Sequence, residues 1–548
     1  MGHPRPHTPF SGCSAGMRAV PATPLTSPVR LAYPPPVPST VHNVGDWPAR
    51  WARATPERLA VVDGEQRIDY ASLEDRVART SGWLRANGVE PGDRVALLLA
   101  NRAAYLELVL GAARIGAISV PMNTRLTAHE VAFQLEDAMP RMVVHETGLC
   151  ERVAAALNLS THTPSAIIPV DENSHFDALR FDSGPALSLP VDPEDPMMIL
   201  YSSGTTGAPK GAVLPHRKTL YNALNAILYF GIRSGAERVL VAAPLFHSLG
   251  LKILSLPVLY AGGTLVLHRR FEAEHFWGDV ERERITYTGG VPTQYARLLE
   301  QLERSASAPS DRSSLRFLFT AGAAISADTV RAYHEHGLVL KQGYGQTETS
   351  ILCCLSERDS IARAGSVGRP VFYATIRLIH PDSFTGRVEE WRDVGPGETG
   401  EIVVRGPTTM LGYWQKPEET ASTLSGGWLR TGDLATRDEE GFITLSGRAR
   451  DMYISGGENV YPAEVEAALS QHPAIREVAV VGVANERWGE IGRAHVVLEA
   501  GEQLDVETLR EWASSRLAGF KLPGELAVES ELPRTASGKV QKHRLTAG

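Results

Sequence analysis

A short apolar run, Met197 to Leu200, opens directly into Tyr201-Ser202-Ser203-Gly204-Thr205-Thr206-Gly207-Ala208-Pro209-Lys210-Gly211. The run is too short for an ordinary helix and is bounded by Pro193 and Pro196, which reads as a buried strand. A chain leaving such a strand through Gly, Ser and Thr can turn several backbone N–H groups toward one point, and phosphate oxygens fill a nest of that kind. Gly204, Gly207 and Gly211 allow the tight path, Ser203, Thr205 and Thr206 add hydroxyl donors, and Lys210 adds a mobile positive charge. The spacing is not that of a Walker A loop, which carries four residues between its glycines and then Gly-Lys-Ser/Thr. A generic Gly/Ser/Thr stretch is more often a surface loop, so the weight lies on the order of these eleven residues.

Around this loop the pattern alternates. Tyr70 to Gly88 reads as a helix with Ser72 as its cap, Arg94 to Leu99 as a buried strand, and Arg102 to Ile115 as a helix. Ala117 to Pro121, Val239 to Pro244 and Leu315 to Thr320 are further strands. Strands alternating with helices predict an α/β fold with mostly parallel, helix-covered sheets. At 548 residues there is chain enough for more than one domain.

Candidate site residues cluster at the expected strand ends, where open α/β sheets bind ligands. Leu245-Phe246-His247-Ser248-Leu249-Gly250 follows one strand, and Tyr287-Thr288-Gly289-Gly290-Val291-Pro292-Thr293 another. A lone histidine is more often packed or solvated than functional; Gly289 and Gly290 leave room for a bulky group or simply make a turn. Ala321-Gly322-Ala323-Ala324 and Gln342-Gly343-Tyr344-Gly345-Gln346-Thr347-Glu348 come next. Their small residues would let a planar base approach the backbone, and Tyr344 offers a ring to stack on it. Glu348 beside phosphates would require a cation between them. Further along stand Gly400 to Gly406 with Gly412-Tyr413-Trp414, Trp428 to Leu434 containing Asp433, and Gly447-Arg448-Ala449-Arg450-Asp451. A last region holds Ser455-Gly456-Gly457-Glu458 and Pro533-Arg534-Thr535-Ala536-Ser537-Gly538-Lys539.

Taken in this order, the motifs resemble those of the adenylate-forming superfamily, in its acyl-, fatty-acid- and aryl-CoA ligase branch, over residues 41–548. The resemblance implies a large N-terminal domain (41–447) and a hinge (448–450). A small mobile α+β C-terminal domain (451–548) would carry the catalytic lysine. By the same resemblance Ser203, Gly204, Thr205, Thr206, Gly207 and Lys210 hold ATP phosphates. Gly322, Ala323, Ala324, Gly343, Tyr344, Gly345, Gln346 and Thr347 flank the adenine, Asp433 holds the ribose, and Arg448 is a further ribose or phosphate contact. Thr205 and Glu348 would bind Mg²⁺; His247, Gly289, Gly290, Val291, Gly322 and Gly343 would line the acyl pocket. Ser455, Gly456, Gly457 and Glu458 would form the CoA tunnel and Arg450 the hinge, where Lys or Asp is usual. Lys539, Glu348 and His247 are the expected catalytic set, with ATP, Mg²⁺ and CoA as the small molecules.

The implied reaction is activation of a largely apolar carboxylic acid to acyl-AMP and pyrophosphate, then transfer to CoA. His247 stands where amino-acid-activating relatives place an Asp, and too few residues follow Lys539 for a carrier domain, so CoA is the expected acceptor. A separate carrier protein is the alternative, and a homodimer is compatible with the sequence. Net charge is −8, with no basic field for nucleic acid. No apolar run reaches the roughly 18 residues of a membrane span. Cys13, Cys150, Cys353 and Cys354 show no metal-ligand spacing, so a cytoplasmic location is expected. Only eight of the 55 basic residues are lysine, so the lysine inside the glycine-rich loop points to a need for a compact ammonium there. Residues 1–40 contain ten prolines and no acidic residue, the composition of a disordered tail.

Overall fold

The computed structural model describes residues 43–171, 184–186, 188–202, 209–304, 311–323, 325–384, 387–455, 458–535 and 540–546. The tail expected over 1–40 lies outside them.

Two large sheets carry the N-terminal part. One orders its strands Arg369–Pro370, Ser350–Cys354, Leu340–Gln346, Phe317–Thr320, Tyr287–Gly290, Arg238–Val241, Thr264–Leu267, Leu59–Asp63 and Gln66–Asp69. From Leu340–Gln346 to Leu59–Asp63 neighbouring strands run parallel, and the edges are antiparallel. The other orders Gly412–Tyr413, Lys210–Pro215, Pro196–Ser202, Ile118–Pro121, Arg94–Leu98, Met142–Glu146 and Ala166–Val170. It is parallel except at its first two pairings.

A single apolar cluster joins the two sheets. It takes Val61, Val239 and Phe319 from one, Leu97, Val144 and Leu200 from the other, and Leu106 and Leu110 from the helix Ala103–Arg114. That helix is buried at almost every position, as its all-round apolar sequence demands. The neighbouring helix Tyr70–Ala86 is capped differently from expectation. Asp69, not Ser72, accepts the bond: the Ser72 backbone N–H donates to Asp69 Oδ1 at 2.7 Å. A carboxylate directly before the helix reaches an otherwise unpaired first-turn amide and also suits the helix dipole.

A third, antiparallel sheet pairs Thr375–Ile379, Gly400–Arg405 and Trp428–Arg437, with Ile443–Arg448 beside the last. The C-terminal part builds its own sheet from Glu458–Val460, Tyr453–Ser455, Gly489–Leu498, Ile475–Asn485 and Glu525–Val528. Tyr453, Val460, Val465 and Leu509 form part of its separate core. Tyr453 is let in by two glycines. A Cβ at Gly482 would lie 2.4 Å from Tyr453 Cβ, and one at Gly492 would lie 2.3 Å from its hydroxyl.

Candidate active site

The strand Arg238–Val241 pairs with Thr264–Leu267 on one side and Tyr287–Gly290 on the other. The chain therefore leaves it in one direction and returns in the opposite one, which opens a crevice at its C-terminal end. The strand stops at Val241, three residues before the expected Pro244, because the next segment is held by a side chain instead of a neighbouring strand. Asn101, 2% exposed, donates from Nδ2 to the carbonyls of Val241, Ala243 and His268. Its Oδ1 accepts from the Leu245 N–H at 2.7 Å. This clamp fixes the turn that carries His247.

After His247 the chain winds into a π-helix, Leu249–Ser255, a wide turn found disproportionately at functional sites. Gly250 lets it sit against the strand end. A Cβ there would lie 2.4 Å from the Pro244 carbonyl and 2.5 Å from that of Ala243. The His247 ring is half-buried and meets Phe246 edge-on at 4.7 Å.

The expected phosphate loop joins two antiparallel strands, Pro196–Ser202 and Lys210–Pro215, with Ser202 opposite Lys210. Ser203, Gly204, Thr205, Thr206 and Gly207 lie outside the described residues. At the loop's far end Lys210 Nζ stands 5.4 Å from the centre of the Tyr413 ring. Tyr413 reaches it because Gly412–Tyr413 pairs with Lys210–Pro215. The Tyr413 hydroxyl then donates to Glu348 Oε1 at 3.2 Å. Burial first, and the Glu348 charge second, push the Tyr413 phenol well above its ordinary range, so it stays a donor.

Glu348 is 9% exposed and sits in the turn between Leu340–Gln346 and Ser350–Cys354. Behind it, burial holds the Lys218 ammonium well below the ordinary lysine range; the charge of Lys252 adds to this and Glu348 opposes it. Lys218 Nζ donates to Ser350 Oγ at 2.5 Å.

Asp433 gathers the other half of the site. It lies within the strand Trp428–Arg437, opposite Arg448, and is 6% exposed. Arg448 Nε reaches Asp433 Oδ1 at 2.6 Å, while Gln346 Nε2 donates to Oδ2 at 2.6 Å. The Tyr344 hydroxyl also donates to Oδ2. Tyr344 is thus anchored by its hydroxyl and 7% exposed. Gln346 donates a second bond to the Thr431 carbonyl at 2.9 Å, and Thr347 is half-buried beside Glu348.

The glycines divide by what stands next to them. Gly322 has φ +88° and is exposed with Ala323 at the end of Phe317–Thr320, with only Val291 within 4.0 Å of a Cβ. That position is open to a ligand. The room expected at Gly289 and Gly290 is taken: a Cβ would meet Leu254 Cδ2 at 2.9 Å and Gln294 Oε1 at 2.8 Å respectively. Gly343 and Gly345 likewise admit neighbours, the Phe319 ring at 2.6 Å and the Ser350 carbonyl at 1.9 Å from a Cβ. Ala324 lies outside the described residues.

In the C-terminal part, Ser455 is buried and Glu458 exposed on the paired strands Tyr453–Ser455 and Glu458–Val460. Gly456, Gly457 and Lys539 lie outside the described residues. Arg450 is in the 3₁₀ turn Ala449–Asp451, with Nε 3.3 Å from Asp451 Oδ1. Sequence reasoning missed Asn101, Lys218 and the placement of Tyr413. Asn101 had a signal, a lone amide directly after the apolar run Leu97 to Ala100.

Residues 48–414 match the AMP-binding enzyme family, and residues 464–539 match the AMP-binding enzyme C-terminal domain. A feruloyl-CoA synthase from Amycolatopsis sp. is 41% identical over 503 residues, covering 91% of this chain and 98% of that protein. An indoleacetate–CoA ligase from Aromatoleum aromaticum is 38% identical, covering 91% and 97%. The o-succinylbenzoate CoA synthetase of Bacillus subtilis has been solved with its acyl-adenylate intermediate, at TM-score 0.81, 32% identity and coverage of 91% and 97%. The same enzyme with ATP and magnesium gives TM-score 0.81, 31% identity and coverage of 91% and 99%.

Proposed function

The chain belongs to the AMP-binding enzyme family, and from that premise we propose how its own residues carry out acid–thiol ligation. The reaction is ATP-dependent activation of a carboxylic acid to acyl-AMP, then transfer of the acyl group to CoA. Aromatic and other bulky, largely apolar acids are the class we assign, since feruloyl-CoA synthase and indoleacetate–CoA ligase are among the relatives. The observation that carries the reading is the convergence of Lys210, Tyr413 and Glu348 beside the phosphate loop.

A carboxylate oxygen is a poor leaving group, so a thiol cannot displace it directly. In the first step the acid's oxygen attacks the α-phosphorus of ATP and pyrophosphate leaves. This is in-line phosphoryl chemistry, in which positioning and charge neutralisation do most of the catalysis. The phosphate-loop amides and Lys210 hold the β- and γ-phosphates. Tyr413 fixes the Glu348 carboxylate from one oxygen.

A buried carboxylate facing phosphates is suitable donor chemistry for Mg²⁺, which keeps one or two protein carboxylates and takes the rest from phosphate and water. Glu348, with Thr205 as second ligand, would hold it, and the bound ion would neutralise charge on the departing pyrophosphate. Asp433 and Arg448 take the ribose. The carboxylate already accepts from Tyr344, Gln346 and Arg448, so it is oriented before ATP arrives. His247, held by the Asn101 clamp, forms the wall beside the acid.

Lys539 bridges the acid and α-phosphate in the first step. Residues 448–450 then act as a hinge, and rotation of the C-terminal domain withdraws Lys539 and brings Gly456-Gly457 in for the thiol. The CoA sulfur attacks the acyl carbon, loses its proton, and AMP leaves. A cytoplasmic location belongs to this reading.

The test is incubation with ATP, Mg²⁺ and a panel of carboxylic acids, with and without CoA, reading pyrophosphate and thioester. Acid-dependent pyrophosphate release and an acyl-CoA product are expected. Thioester formation only on a carrier protein would reassign the acceptor, and no acid-dependent release would overturn the reading.

A further inference from the structure

Lys252 lies five residues after His247, on the π-helix Leu249–Ser255, and is 1% exposed. Its Nζ has no hydrogen-bond partner among the described residues. Burial pushes its ammonium down to about 7. An amine sealed from water with no acceptor is costly, and a methionine or leucine of similar length would fill the space without that cost. Core packing therefore does not account for it.

The surroundings point toward the substrate. Asn222, on the helix His216–Phe230, donates to the Lys252 carbonyl at 2.6 Å and accepts from the Ile351 N–H at 3.4 Å. Lys252 is thus in the wall where this helix, the π-helix and the strand after Glu348 meet. Two residues on, Leu254 packs against Gly289. The second buried lysine of the same wall, Lys218, is already bonded to Ser350. Lys218 thus has its acceptor in Ser350, while Lys252 Nζ has none among the described residues. A group entering past His247 can supply one.

We propose that Lys252 is a specificity residue of the acyl site, which receives an oxygen acceptor carried by the acid at the end remote from the carboxylate being activated. The inference rests on the acid–CoA ligase reading and narrows its substrate class from apolar acids to acids with a distal hydroxyl or carboxylate. A site that must hydrogen-bond a substrate oxygen discriminates strongly against the analogue lacking it, because its own buried group is then left unpaired.

The experiment compares kcat/KM for pyrophosphate release across two matched series. One is cinnamic, 4-hydroxycinnamic and 4-carboxycinnamic acid; the other is hexanoic, 6-hydroxyhexanoic and adipic acid. In the wild type, at least one oxygen-bearing acid should exceed its unsubstituted parent by about tenfold or more. The hydroxyl and carboxylate arms distinguish a neutral from an anionic acceptor. In Lys252→Met that preference should fall to within about threefold. A wild type that favours the unsubstituted acids, or a preference that survives in Lys252→Met, overturns the proposal. The wild-type comparison stands even if the variant fails to fold. Release with every acid at similar kcat/KM would sink this inference and leave the ligase reading intact. No release with any acid would sink the ligase reading, and this inference with it.

Discussion

Asp433 joins three separate stretches of the chain through one carboxylate, since Tyr344, Gln346 and Arg448 all converge on it. Asp433→Asn keeps the shape but removes the charge that orders Arg448. The KM for ATP should rise by about tenfold or more, because an ionic hydrogen-bond network is weakened where the proposed function puts the ribose. A variant with the parent KM for ATP would remove Asp433 from the nucleotide site. Asp433, Arg448 and Glu348 were legible in the sequence because each stands in a fixed motif. Asn101 gave only the faint signal of a lone amide after an apolar run and Lys252 gave none, since a lone side chain carries no motif and burial is what reveals its role. For Lys252 the sign of the pH dependence is definite. Its folded-state pKa of about 7 lies below the ordinary 10.5, so the unfolded chain binds the proton first as pH falls. The associated stability is complete above about 10.5 and is lost as pH falls through about 7. Thermal unfolding of the wild type and Lys252→Met between pH 7 and 9.5 should show the variant gaining most at the lower end. A gain independent of pH would contradict this.

The π-helix Leu249–Ser255 follows closely on His247, which the proposed function places beside the acid. Gly250→Ala would drive a methyl into the carbonyls of Ala243 and Pro244. The expected result is a loss of about 1–3 kcal/mol in stability, as for overpacking. The KM for the acid should rise more than that for ATP; equal changes in both would show that the helix does not shape the acyl site specifically. At this scale the strands and helices flanking the site were readable from apolar alternation. What a glycine is for was not. Gly289, Gly290 and Gly343 looked like space left for a ligand, but Leu254, Gln294 and Phe319 occupy that space, while Gly322 alone among these four stands open. A sequence shows that a side chain is absent and cannot show which neighbour moves in.

For the molecule as a whole, two mostly parallel sheets share one core, and the C-terminal sheet has a core of its own. A separate C-terminal domain was implied by the resemblance to the adenylate-forming superfamily, which put the hinge at 448–450. A separate core is what a part that moves as a unit requires. Lys539→Ala should therefore slow acyl-AMP formation by about 10²–10³, the range for removing one positioned charge. Conversion of supplied acyl-AMP to acyl-CoA should survive, and equal loss in both halves would argue against alternation. The most direct measurement of the central claim is a rapid-quench single turnover with α-labelled ATP, Mg²⁺ and an accepted acid, first without CoA. The account predicts that labelled acyl-AMP accumulates with pyrophosphate and is then converted to acyl-CoA and AMP when CoA is added. Appearance of ADP and phosphate, or no acyl-AMP until CoA is present, would contradict it.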